Sequence, residues 1–288
     1  MTTSQAPERG APNFSARAST RTISVNGVRF AYRRLGPGGG VPVVLLQHLG
    51  GNLDEWDPRV VDGIAAWRQV ITFDNRGVGA SEGSTPESVG EMARDAIAFI
   101  RALGFDRVDL VGFALGGFVA QAIALREPEL VRKMVLAATG PAGGAGIAKI
   151  NGVAARQFAK AALTFRHPKR YLFFTQSAAG RRAAREFLGR LKERKAGRDK
   201  AVSLKTTSAH LKAARAWGLQ NPDDLSRITH PVLVVGGEND SVVPVSNSVD
   251  LDRRLPDSEL ELYPDAGHGG IFQHHDAFVA KALKFLEE

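Results

Sequence analysis

The chain has 288 residues, of which 43% are hydrophobic and 24% are charged, and its net charge is +8. This composition is typical of a globular protein with one large or two modest domains, and it excludes a disordered chain, a collagen-like fibre and a coiled coil. Cysteine is absent, so disulfide frameworks, thiolate metal sites and cysteine nucleophiles are excluded, and no apolar run is long enough to predict a transmembrane helix.

The positive charge is concentrated in one segment. Residues 141–222 hold 18 Lys and Arg against 3 Asp and Glu, a balance of +15, while the remaining residues hold 20 against 27, a balance of −7. Such a segment can bind nucleic acid, an anionic surface or an acidic substrate. Because it lacks interleaved aromatic residues and any nucleic-acid motif, we interpret it as a solvated face and expect neither a nucleic-acid nor a membrane partner.

Residues 1–20 are predicted to form a flexible tail, since they are rich in Ala, Ser, Thr and Pro. They contain no apolar stretch of the kind that a secretory signal needs, so we expect a cytoplasmic protein.

A β-hairpin is predicted next, because Asn26-Gly27 separates two apolar-polar runs and favours a type I′ turn.

After the hairpin, apolar runs typical of buried strands alternate with helical patterns. Strands are predicted at 41–47, 69–74, 107–113, 131–139, 231–237 and 259–264. Helices are predicted at 88–103, 115–128, 245–255 and 272–286. This alternation predicts an α/β fold with a mostly parallel sheet and helices on both faces. It stops between residues 141 and 222, whose composition predicts an inserted helical cap on a core of residues 21–140 and 223–288.

The most specific motif is Gly112-Phe113-Ala114-Leu115-Gly116, at a predicted strand-to-helix turn. Glycines two residues before and after a central residue are what a nucleophile elbow needs, because the turn is sharp and bulky neighbours would clash. The central residue then lies at the carboxyl edge of the sheet and at a helix N-terminus, and both positions favour developing negative charge.

With this motif the chain resembles the α/β-hydrolase superfamily, and the resemblance extends from about residue 21 to the end. Four further motifs agree in order and spacing. "VVLLQHLGGNLDEW" is similar to the strand and oxyanion loop, "FDNRGVGAS" to the Asp-x-Arg-Gly-x-Gly-x-Ser segment, "VVGGENDSVVP" to the acid loop and "YPDAGHG" to the histidine loop. The residues after the elbow resemble the serine esterase and lactonase branch.

The resemblance implies a catalytic triad in which position 114 is the nucleophile, Asp240 the acid and His268 the base. It also implies an oxyanion hole formed by the backbone N–H groups of Leu49 and Leu115. The expected substrate is a small ester or lactone, with no cofactor and no metal, and a homo-oligomer remains open. The basic cap would modestly favour an anionic or polar ester.

One residue departs from the family pattern. Ala114 occupies the nucleophile position, and a methyl group cannot attack a carbonyl carbon. Either Ala114 replaces an original serine, as in a variant made to trap a ligand, or it is native. A native alanine would make the chain a ligand-binding protein, or a lyase or cyclase that uses His268 and Asp240 as a general base. The retained glycines, Asp240 and His268 favour the first alternative.

Four residues are candidates for contact with the substrate, each with a structural alternative. His48 could shape the oxyanion loop, Trp56 could simply pack, and Phe173 could belong to the interior of the cap. His210 could face the pocket, but we favour a solvated histidine.

Overall fold

The computed structural model describes residues 13–287. In this range the strands are β1 Arg21–Val25, β2 Val28–Leu35, β3 Val43–Leu46, β4 Val70–Phe73, β5 Val108–Phe113, β6 Val131–Ala137, β7 Val232–Gly237 and β8 Ser258–Tyr263. The α-helices are α1 Phe14–Arg17, α2 Pro58–Ala65, α3 Val89–Ala102, α4 Leu115–Arg126, α5 Ile150–Leu163, α6 Lys169–Phe173, α7 Ala178–Arg190, α8 Leu204–Leu219, α9 Ser246–Arg254, α10 Gly270–Gln273 and α11 His275–Glu287.

The strands form one sheet in the order β1-β2-β4-β3-β5-β6-β7-β8. Strand β2 pairs antiparallel with β1 and β4, and every pair from β4 to β8 is parallel. The mostly parallel α/β architecture predicted from the sequence is therefore confirmed. The turn between β1 and β2 has φ values of 51° at Asn26 and 80° at Gly27, as a type I′ turn requires.

Apolar layers cover both faces of the sheet. One layer joins β-strand side chains to α3, α4 and α8, and includes Phe99, Phe118 and Trp217. The other joins the sheet to α2, α7, α10 and α11, and includes Phe187 and Phe272. Residues of both layers line the functional site described below, so the core sets the position of that site.

Three local features differ from the sequence prediction. Within the predicted tail, Phe14–Arg17 form a helix, and Ser15 N–H donates a 2.7 Å hydrogen bond to Asp62 on α2; residues 1–12 lie outside the described residues. Helix α2 was not predicted, although Asp57 caps it and Pro58 begins it. The prediction of one last helix at 272–286 is wrong, because His274 is not helical and separates α10 from α11.

Helices α5 to α8 lie in the segment predicted as the cap. No helix among residues 13–287 is long and apolar enough to cross a membrane.

Candidate active site

Strand β5 ends at a sharp turn that places Ala114 at the start of α4. Ala114 has φ 53° and ψ −112°, a region that residues with a β-carbon rarely adopt. The turn is held by the Ala114 N–H, which donates to the Ala137 carbonyl at 2.9 Å. A β-carbon at Gly112 would lie 2.5 Å from the Gly116 carbonyl oxygen, and one at Gly116 would collide with the Leu46 carbonyl. Both glycines are therefore required by the turn.

The predicted acid and base lie in contact. The Nδ1 atom of His268 is 2.7 Å from Oδ2 of Asp240, and both side chains are buried. A carboxylate only accepts hydrogen bonds, so the Nδ1–H of His268 donates this bond and Nε2 takes no part in it. The other oxygen, Oδ1 of Asp240, accepts from the backbone N–H groups of Val242 at 2.8 Å and Val243 at 2.9 Å. These bonds fix the carboxylate, which in turn orients the imidazole.

The histidine loop is packed tightly against helix α6. The Gly269 N–H donates to the Phe173 carbonyl at 2.7 Å. A β-carbon at Gly267 would lie 2.8 Å from that carbonyl oxygen, and one at Gly269 would lie 2.9 Å from the Phe173 β-carbon. The glycines on both sides of His268 therefore allow α6 to rest directly on the loop that carries the base.

Hydrogen bonds to its carbonyl and from its N–H hold the peptide group between Leu49 and Gly50, in the predicted oxyanion loop. The Leu49 carbonyl accepts from Nδ1 of His48 at 2.8 Å, and the Gly50 N–H donates to Nδ1 of His210 at 3.1 Å. Burial lowers the pKa of His210 to about 4, so its ring is neutral and can accept this bond. The N–H groups of Leu49 and Leu115 donate no hydrogen bond to any group among residues 13–287.

A cavity of about 350 Å³ lies between the core and the predicted cap, and both Ala114 and His268 line it. Its other lining residues are mainly apolar and come from α5, α6 and α8 as well as from the core. Two charged side chains, Glu55 and Lys169, also line it. A mainly apolar cavity with a few polar groups converging on one end is the usual form of a small-molecule site.

Of the predicted substrate contacts, His48 and Phe173 line the cavity together with Leu49 and Leu115. Trp56 does not; its ring packs against Phe113 and Phe272 at centroid distances of 6.3 and 6.4 Å.

The preference for a solvated His210 is wrong. This side chain is fully buried, and its Nδ1 accepts a hydrogen bond from the Gly50 N–H. Glu55 and Lys169 were missed by the sequence analysis, and nothing in the segment "HPKRYLFF" distinguishes Lys169 from the neighbouring basic residues.

Between residues 13 and 287, no group of three or more His, Asp and Glu side chains is placed to hold a metal ion.

Residues 41–275 match the family described as alpha/beta hydrolase fold, which is more than half of the chain. The chain belongs to this family. A solved alpha/beta hydrolase fold protein from Chitinophaga pinensis is 40% identical, covers 96% of this chain and 100% of its own, and superposes with a TM-score of 0.92.

Two further relatives have named activities. A protein provisionally named carbamate hydrolase RutD, from Rhizobium rhizogenes, is 33% identical over 85% of this chain and 92% of its own length. A solved structure described as an N-acyl homoserine lactone degrading enzyme is 27% identical, covers 92% of this chain and 100% of its own, and has a TM-score of 0.73.

Proposed function

We propose that this site is that of a carboxylic ester or lactone hydrolase whose serine nucleophile is replaced by Ala114. One observation carries the proposal: Ala114, His268, Leu49 and Leu115 line one cavity, and Asp240 holds the His268 ring by a hydrogen bond. These groups are the parts that a serine hydrolase uses, apart from the hydroxyl group. The named relatives support hydrolysis of an acyl bond, since one is named for carbamates and another for a lactone.

With serine at position 114, each part of the site has a definite task. The hydroxyl oxygen attacks the substrate carbonyl carbon while His268 Nε2 takes its proton. Asp240 stabilises the resulting imidazolium, and the N–H groups of Leu49 and Leu115 bind the oxyanion. One such donor contributes about 3 kcal/mol to the transition state. His268 then returns the proton to the leaving alcohol, and water repeats the sequence on the acyl-enzyme.

With Ala114, the same cavity binds the substrate but forms no acyl-enzyme. The positive φ at this alanine supports replacement, because the strained elbow has no purpose in a site without a nucleophile. We expect the chain as it stands to bind esters or lactones without measurable turnover.

The test compares Ala114→Ser with the parent on methyl and p-nitrophenyl esters and on lactones of increasing ring size and chain length. We expect hydrolysis by Ala114→Ser that is lost again in Ala114→Ser/His268→Ala. The proposal fails if Ala114→Ser does not hydrolyse any member of the panel although it folds as the parent does.

A second candidate rests on the buried dyad itself, which presents His268 Nε2 to the cavity as a base without a neighbouring hydroxyl. A native Ala114 chain could use it to remove a proton from carbon or from water, as a lyase or cyclase does. Turnover of a non-ester by the parent chain that is absent from His268→Ala would favour this candidate. Binding of a ligand without any turnover, even with serine at position 114, would instead indicate a ligand-binding protein.

A further inference from the structure

The cavity contains an ion pair that the hydrolytic machinery does not use. The Nζ atom of Lys169, at the start of α6, contacts Oε2 of Glu55, which lies in the core loop before α2. The side chain of Lys169 is 12% exposed and that of Glu55 29% exposed. Both line the same cavity as Ala114 and His268. The pair therefore belongs to the surface that a bound substrate touches.

The ammonium group of Lys169 has a second acceptor. Its Nζ atom lies 3.5 Å from Nε2 of His48. Burial lowers the pKa of His48 well below its ordinary value, so this ring is neutral, and its Nδ1 proton is directed at the Leu49 carbonyl. Nε2 of His48 is therefore the acceptor, and Lys169 donates to it.

One N–H of the ammonium group is left over. An ammonium group has three donors, and the contacts to Glu55 and His48 use two of them. Among the described residues, Nζ otherwise faces the rings of Phe173 and Phe187, with 5.5 and 6.0 Å between Nζ and the two ring centroids. A donor in an apolar cavity that lacks an acceptor is costly, and a ligand oxygen would satisfy it.

The Phe173 ring connects this donor to the catalytic dyad. Its centroid is 5.7 Å from that of the His268 ring. Lys169 and His268 thus contact the same aromatic side chain, and a small molecule can reach both groups. An acceptor oxygen that binds Lys169 would lie in a part of the substrate remote from the carbonyl that reacts.

The charge of Glu55 decides which kind of oxygen fits. Burial lowers the pKa of Lys169 to about 7. The contact with Glu55 opposes this effect, since a charged carboxylate next to Nζ favours the protonated ammonium. The pair has no net charge, and Glu55 and Lys169 are the acidic and basic side chains among the lining residues, apart from histidines. A substrate carboxylate would leave one negative charge uncompensated in an apolar cavity, whereas a neutral carbonyl oxygen would not.

We propose that the Glu55–Lys169 pair is a specificity site that selects neutral esters or lactones carrying a second carbonyl oxygen, and that it rejects anionic ones. The specificity site rests on the proposed function, because that function supplies the ester or lactone carbonyl that reacts. Of the anionic or polar ester expected from the +15 charge of residues 141–222, it keeps the polar kind and excludes the anionic kind, because Glu55 compensates Lys169, the lysine among the residues that line the cavity.

The test uses binding to the parent Ala114 chain, which needs no turnover. The ligands are three methyl esters of equal shape, ending in an isopropyl, a carboxamide or a carboxylate group, with two to five methylene groups before the end group. Calorimetry should give roughly tenfold tighter binding of the carboxamide than of either isostere at the best length, the effect of one hydrogen bond to a charged group.

Two variants separate hydrogen bonding from charge. Lys169→Met should abolish the preference for the carboxamide over the isopropyl ester. Glu55→Gln removes the carboxylate that compensates Lys169, and a bound ligand carboxylate can then hold the ammonium protonated in its place, so the affinity for the carboxylate should rise roughly tenfold. The matched control is the exposed pair of Lys212 and Glu87, whose variants Lys212→Met and Glu87→Gln should leave all three affinities unchanged.

The outcomes for the parent and for Glu55→Gln decide the proposal, even if Lys169→Met does not fold. It is overturned if the parent binds the carboxylate as well as the carboxamide, if it binds none of the three esters, or if Glu55→Gln leaves carboxylate affinity unchanged. Failure of the proposed function is distinguishable, because Ala114→Ser would then bind with the predicted preferences but hydrolyse none of the three esters.

Discussion

Ala114 holds a strained backbone conformation in the candidate active site. With φ at 53° and ψ at −112°, it holds a conformation that costs a residue with a β-carbon about 1–3 kcal/mol. Helix α4 and strand β5 fix this conformation, since Gly112 and Gly116 pack without room for a side-chain atom. The strained turn is what places residue 114 at the cavity.

Replacing Ala114 with glycine should therefore stabilise the fold. Glycine adopts positive φ without a steric penalty, and this gain exceeds its larger entropy loss on folding. We expect the free energy of unfolding to rise by about 1 kcal/mol in urea titrations. The control is Ala120→Gly in the interior of α4, which should lower it by about 1 kcal/mol. Equal destabilisation by both substitutions would contradict the account of strain.

His210 should make the free energy of unfolding depend on pH in the acidic range. Its pKa in the folded chain is about 4, below the ordinary 6.5, so the unfolded chain binds the proton first as pH falls. Stability from this residue is complete above pH 6.5 and is lost as pH falls towards 4. Between pH 7.5 and 5, we expect His210→Gln to lose about 1–2 kcal/mol less than the parent. The same loss in both proteins would contradict a buried neutral His210.

At the scale of elements, helix α6 and the histidine loop act as one unit. The Gly269 N–H bonds to the last carbonyl of α6, and the ring of Phe173 contacts both His48 and His268 at centroid distances of 5.3 and 5.7 Å. A displacement of α6 would therefore move the base away from position 114.

Gly269→Ala tests this contact. Its β-carbon would lie 2.9 Å from the Phe173 β-carbon and 3.1 Å from the Phe173 carbonyl oxygen, so α6 and the loop must separate. In the Ala114→Ser background we expect kcat to fall by about tenfold or more, because a small misplacement of the base slows proton transfer. Gly270→Ala is the matched control, since its β-carbon meets its nearest neighbour, Ala266, at an ordinary 3.5 Å. Equal kcat values for the two variants would contradict the coupling.

Most of the sheet and the elbow could be predicted from local patterns, because continuous apolar runs indicated the buried strands and glycine spacing indicated the elbow. Asp240 and His268 were assigned through the resemblance to the α/β-hydrolase superfamily. The contacts of His210 and Lys169 could not be predicted, because each depends on how a helix of residues 141–222 meets a loop more than 100 residues away in sequence. The break at His274 was also missed, since its ring stacks on Tyr263 from a distant strand.

At the scale of the molecule, the basic charge of residues 141–222 meets acidic side chains of the core. The interpretation as a solvated face is incomplete, because several cations of this segment lie against carboxylates. The pairs are Lys169–Glu55, Arg190–Asp57, Arg194–Asp54, Arg198–Asp54 and Lys212–Glu87. The excess of acid in the core therefore has a structural counterpart in the excess of base in this segment.

Among these pairs, Arg190–Asp57 should be the most costly to break by removing one partner. Both side chains are buried, the guanidinium makes bonds of 2.7 to 3.1 Å to both carboxylate oxygens, and Asp57 also caps α2. Arg190→Leu leaves a buried carboxylate without its cation, and we expect a loss of about 3–5 kcal/mol in urea unfolding. Lys212→Met breaks an exposed pair and should cost less than about 1 kcal/mol. Similar losses for both variants would contradict this ranking.

The most direct test of the central claim is the intact mass of Ala114→Ser after exposure to a fluorophosphonate. The account predicts one covalent adduct at residue 114, with labelling slowed at least a hundredfold in Ala114→Ser/His268→Ala. The parent chain should gain no mass. An unlabelled Ala114→Ser that is folded, or labelling that does not depend on His268, would contradict a site built for a serine nucleophile.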